Sequence, residues 1–155
     1  MISTENNAAV LNDLIQINND RIEGYEKAAN ETEIVDVDLR ALFTRMATES
    51  REYVAELRDY VHRNGEAATD STTVRGKIYR AWMDVKAAFG GKDRKSLLES
   101  CEVGEDAARE AYALALDDAA DEELSVDVVR LIIEQKAKLK RAHDEIKRLR
   151  DSQVA

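Results

Sequence analysis

The chain has 155 residues, 35% of them charged and 5% aromatic, with no proline, six glycines and a formal net charge of −9. Such acidity argues against a nucleic-acid backbone or an anionic membrane as the main partner. Few helix breakers and much Ala, Leu, Glu, Lys and Arg point to long helices.

Apolar residues recur at helical spacing in five stretches. The first predicted helix runs from about Glu5 to Glu31, capped by Ser3 or Thr4. Its stripe is Leu11, Leu14, Ile15, Asn18, Ile22, Tyr25 and Ala29, with Asn18 at the centre and Gly24 off it. Thr32 to Asp38 reads as a turn, and Asp36 or Asp38 caps a second helix over Leu39–Arg63. Ser50 is the polar residue in the middle of that helix, and Asn64-Gly65 is its stop. The next stretch, about 65–93, is a long crossover. Within it Val74, Ile78, Trp82, Val85 and Phe89 form a shorter amphipathic helix that ends at Gly90-Gly91.

Asp93 caps a third long helix, about Arg94 to Leu116. Leu97, Leu98, Cys101, Ala108, Tyr112 and Ala115 form its stripe, and Glu105 lies inside that stripe. A carboxylate there needs partners, because burying an unpaired charge is costly. Cys101, the only cysteine, excludes an intrachain disulfide and reads as a buried thiol. Asp117 to Leu124 is a turn, and Ser125 caps a fourth long helix over Val126–Asp151, whose stripe is interrupted by Gln135. No run approaches the ~18 apolar residues of a membrane span, and the first residues lack a signal-peptide pattern. The expected location is cytoplasmic.

Four helices of about 23 to 27 residues are ~35–40 Å long. Short joins make helices one and two, and three and four, antiparallel. The long crossover lets helices two and three run parallel. The expectation is a single all-α domain over 1–155, a four-helix bundle with one long crossover. Asn18, Ser50, Glu105 and Gln135 each stand mid-helix. Helices of matched length bring their midpoints together, so these four are predicted to form one polar layer that satisfies the carboxylate without a metal.

Several segments resemble the ferritin-like superfamily and, within it, a bacterial four-helix-bundle family of unknown function. They are Asn12-Asp13-Leu14-Ile15, Gly24-Tyr25-Glu26-Lys27-Ala28, Met46-Ala47-Thr48-Glu49-Ser50, Gly76-Lys77-Ile78-Tyr79-Arg80-Ala81-Trp82, Glu102-Val103-Gly104-Glu105-Asp106 and Ala142-His143-Asp144-Glu145-Ile146-Lys147. The resemblance implies the ferritin-like bundle. In such bundles the central layer holds two metal ions, bound by a Glu from each of two helices and a Glu-x-x-His pair from each of the other two. This chain contains no Glu-x-x-His. Against the rubrerythrin branch, Asn18 stands where the first helix has a ligand Glu. Ser50 with Tyr53, and Gln135 with Lys138, replace the two Glu-x-x-His pairs. Gly104-Glu105 matches the third helix, where Ala108 replaces a further Glu. A di-iron site is therefore not carried over.

The leading expectation is a non-enzymatic bundle with a degenerate metal layer and no cofactor, self-associating as a dimer or binding a protein partner. Trp82 is a candidate interface residue, because aromatics are favoured anchors. The alternative is an iron- or manganese-binding protein or oxidoreductase that uses Glu26, Glu49, Glu105 and Glu134.

Overall fold

A computed structural model describes residues 4–32, 36–87, 93–117 and 124–153. The described residues form five helices, α1 (Thr4–Glu31), α2 (Val37–Arg63), α3 (Gly76–Ala87), α4 (Arg94–Asp117) and α5 (Val126–Asp151), and no strand. The long helices α1, α2, α4 and α5 make the bundle, and α3 belongs to the crossover. Ser3, Phe89, Gly90-Gly91 and most of the predicted 117–124 turn lie outside the described residues.

The helix ends follow from their capping chemistry. Asp93 Oδ1 accepts from the Ser96 amide at 2.7 Å, and Ser125 Oγ accepts from the Val128 amide at 3.4 Å. Asp36 holds the N-cap position of α2 without a side-chain cap. Its carboxylate accepts instead from Arg94 Nη1 at 2.9 Å. At the other end Gly65 adopts φ 76°. The Gly65 amide donates to His62 O and the Glu66 amide to Val61 O. That is the paired closure of a Schellman motif, which needs a left-handed residue where glycine carries no Cβ penalty.

The crossover climbs along α1, tied to its polar flank. Asn12 Nδ2 donates to Ala67 O at 3.1 Å and Asn12 Oδ1 accepts from the Thr69 amide at 2.9 Å. Asn19 Nδ2 donates to Ser71 O, and Asp20 Oδ2 accepts from the Thr73 amide. This ascent returns the chain to the end from which α2 started, so α2 and α4 run parallel.

Next, α3 lies across α1 and α4, held by one side chain that reaches both. Trp82 is 1% exposed. An added Cβ on Gly24 would lie 2.6 Å from Trp82 Cε3, and one on Gly104 would lie 3.0 Å from Cζ2. The indole thus fills a slot between α1 and α4 that two glycines keep open. Tyr25 meets it edge-on, with ring centroids 5.2 Å apart. Gly24, off the predicted stripe, is buried because α3 covers a second face of α1.

The apolar core divides into two clusters. One gathers Leu11, Leu14, Leu57, Leu131 and Leu139, with Tyr53 and Tyr112. The other gathers Phe43, Met46, Leu98, Cys101 and Ile146, with Tyr25 and Trp82. A group of buried polar side chains lies at their junction.

Candidate functional site

Five side chains of that junction are almost wholly buried: Asn18 at 1% exposed, and Arg21, Ser50, Glu105 and Gln135 at 0%. Arg21 was not anticipated. The buried stripe of α1 runs Leu14, Asn18, Arg21, Tyr25, Ala28. The predicted stripe placed Ile22 and Ala29 there, and both are only partly buried. The rotation is one residue, and it carries a guanidinium to the centre of the bundle.

Arg21 engages all five of its donors. Nε and Nη2 donate to Glu105 Oε1 at 3.0 and 2.8 Å. Nη1 donates to Ser50 Oγ at 2.8 Å and Met46 O at 3.1 Å, and Nη2 also reaches Met46 Sδ at 3.3 Å. Tyr25 donates its hydroxyl to the same Glu105 oxygen at 2.5 Å. The chain continues from Ser50, whose hydroxyl donates to Asn18 Oδ1 at 2.9 Å. Asn18 Nδ2 donates to the Tyr112 hydroxyl at 2.8 Å, and Tyr112 donates to Gln135 Oε1 at 2.6 Å. Gln135 Nε2 ends on Tyr53 O at 3.2 Å.

The four predicted residues are therefore linked, but not in one flat layer. Gln135 meets Tyr112, seven residues along α4 from Glu105, which is about 10 Å of helix. Gln135 stands before the middle of α5 whereas Glu105 stands at the middle of α4, so the two do not share a height. Glu105 takes its donors from Arg21 and Tyr25. Its other oxygen, Oε2, is buried without a hydrogen-bond partner among the described residues, as is Trp82 Nε1.

Burial and neighbouring charge shift the titration of Arg21, Tyr25, Tyr112 and Cys101. Burial works against the Arg21 charge, but the Glu105 carboxylate and the Tyr25 hydroxyl overcome it, and the guanidinium holds its proton more tightly than a free one. Burial and then the Glu105 charge drive the Tyr25 hydroxyl well above its usual range, so it remains a donor. Burial does the same to Tyr112, and burial followed by Glu105 keeps the Cys101 thiol protonated.

The ferritin-like bundle implies a central metal pair, and these residues do not fit one. A guanidinium stands against the one glutamate that matched the pattern, and no imidazole reaches it. The alternative set is not gathered either. Glu26 pairs with Arg51 and is half-exposed. Glu134 is exposed on α5. Glu49 stands 3.9 Å from Arg21 Nη2 and so shares the cation that Glu105 already holds. Burial, resisted by Arg21, raises the Glu49 carboxyl above its ordinary 4.5.

Trp82 also departs from expectation. Its indole is enclosed between α1 and α4 and has no face to offer a partner. Among the described residues, one group of three His, Cys, Asp or Glu side chains converges at metal-ligand spacing: Glu102, Asp106 and His143. His143 reaches α4 from α5 and faces residues on either side of Glu105.

The comparisons agree with this architecture. A solved structure described as ferritin like, diiron-carboxylate proteins from Bacillus anthracis str. Ames aligns with a TM-score of 0.73 at 16% identity, covering 94% of this chain and 96% of that one. At that identity the likeness is one of fold. No curated protein matches the chain. The family model described as domain of unknown function (DUF2383) matches residues 6–118, most of the chain, and the protein belongs to that family.

Proposed function

We propose that this protein is a binding bundle rather than a di-iron oxidoreductase, and that it self-associates or binds a protein partner through its outer helix faces. The observation that carries the reading is Arg21. A fully buried guanidinium with every donor engaged supplies, at the centre, the positive charge that metal ions supply in ferritin-like enzymes. The network is a fixed structural device, its members tied to one another from Glu105 to Gln135. Support for binding at the surface comes from large apolar side chains left in water. Val126 and Ile133, one heptad apart on α5, are 70% and 52% exposed.

The test has two arms. Protein from cells grown with iron and manganese is analysed for metal in a His143→Gln background, so that only the centre is read. Less than stoichiometric metal is expected, and stoichiometric metal that disappears with Glu105→Gln overturns the reading. Sedimentation then measures mass and partner capture. A mass above the monomer that falls with Ile133→Glu supports self-association, and a strictly monomeric mass removes it.

A further inference from the structure

We infer that the seam between α4 and α5 carries a site for one first-row divalent transition ion, held by Glu102, Asp106 and His143. The site is independent of the central network. Glu102 and Asp106 stand four apart on α4, so their carboxylates project from one face, one turn above the other. His143 reaches them across the seam from α5. Its Nε2 lies 2.9 Å from Asp106 Oδ1 and 3.6 Å from Glu102 Oε1. Two ligands each about 2.1 Å from a tetrahedral ion stand ~3.4 Å apart, and the two distances bracket that value. All three ligand atoms lie within 4.8 Å of one another.

The surroundings of the imidazole point the same way. His143 is 9% exposed, so its ring is fixed in place rather than waving in solvent. Its Nδ1 is held 3.1 Å from Asp144 Oδ1, a carboxylate outside the ligand set. A proton on Nδ1, shared with Asp144, leaves the Nε2 lone pair turned toward the two carboxylates. This is the outer-shell arrangement that orients metal-bound histidines and raises their basicity. Arg150 pairs with Glu102 Oε2 and turns Oε1 toward the ring. Arg109 Nη1 stands 3.6 Å from the Asp106 oxygen that faces His143 and has to swing aside when an ion enters.

The donor chemistry selects the class of ion. One imidazole nitrogen with two carboxylates suits zinc, manganese, cobalt or ferrous iron better than calcium or magnesium, which prefer oxygen alone. Asp106 is 56% exposed at its side chain, so the remaining coordination positions open to water and the ion has a path in.

The test uses the full chain after chelator treatment, titrated calorimetrically with zinc(II) and optically with cobalt(II). One ion per chain is expected, with cobalt absorption bands that report nitrogen ligation. His143→Gln should weaken binding by about tenfold or more, and Asp144→Asn, acting only through the ring, by about tenfold. Asp106→Asn changes an exposed position and leaves the fold intact, so it reads the site even if His143→Gln unfolds the seam. His62→Gln should bind as the parent does. No zinc binding in the parent, or equal binding in the parent and Asp106→Asn, overturns the inference.

Discussion

Two faces of one stretch of α4 treat negative charge in opposite ways. Glu105 points inward and shares one oxygen among Arg21 and Tyr25, whose positions are fixed by burial on α1. Glu102 and Asp106, before and after it, face the seam with α5 and converge on an imidazole at the spacing of metal ligands. The inner site closes on a cation supplied by the chain itself. The outer site is shaped to take one from solution. Being a ferritin-like bundle therefore does not decide where charge is neutralised; the identity of residue 21 does.

The largest expected effect breaks the inner half of that comparison. Arg21→Met leaves Glu105 buried without its cation and should cost about 3–5 kcal/mol in urea unfolding. If the loss is the stranded charge rather than packing, Arg21→Met with Glu105→Leu recovers much of it. A double-mutant cycle should then show coupling of about 2 kcal/mol. Coupling near zero would mean that Arg21 matters only through Met46 and Ser50.

A smaller effect tests the helix that braces both faces. An exposed helical glycine gains about 1 kcal/mol on change to alanine. At Gly24 the new Cβ meets the indole at 2.6 Å, and the expected outcome is a loss of about 1–3 kcal/mol. Trp82→Leu in the same chain should return part of that loss. A stabilised Gly24→Ala would show that α3 does not seat its tryptophan in the slot.

The smallest effects lie in the pH dependence, and the two faces should differ in sign. Burial raises Glu49 above 4.5, so its stabilising contribution is fully present at acid pH below that value and is lost as pH rises through the raised folded value. On the surface Lys140, then His143, hold Asp144 down to about 2. Its contribution is present above 3.8 and disappears as pH falls through about 2. Urea midpoints measured across this range should lose the first component in Glu49→Gln and the second in Asp144→Asn.

Most of the bundle was legible because its signals are local. The predicted bounds of the last helix, Val126–Asp151, coincide with those of α5, since Ser125 caps it and the 3.6 period runs unbroken. Gly65 marked the end of α2 for a steric reason that needs no partner. The centre was legible only in part. Asn18, Ser50, Glu105 and Gln135 stood out as polar residues inside apolar stripes, and the structure buries and links all four. Arg21 did not stand out, because Ile22 beside it completes an apolar stripe as well as the true one does. A charged residue three after Asn18 and four before Tyr25 was the available signal. The His143 cluster is shared between α4 and α5, so no spacing within either helix brings Glu102 and Asp106 to the ring. Trp82 between two glycines joins three helices, so no spacing within any one of them announces it.

The tryptophan slot has a consequence for how such a chain can change. Trp82, Gly24 and Gly104 occupy three separate stretches of sequence but one shape. A drift to alanine at either glycine is tolerable only after residue 82 has become smaller, and a smaller residue 82 leaves a void until a glycine gives way. The three positions are therefore expected to vary together or not at all, because one shape fastens the crossover.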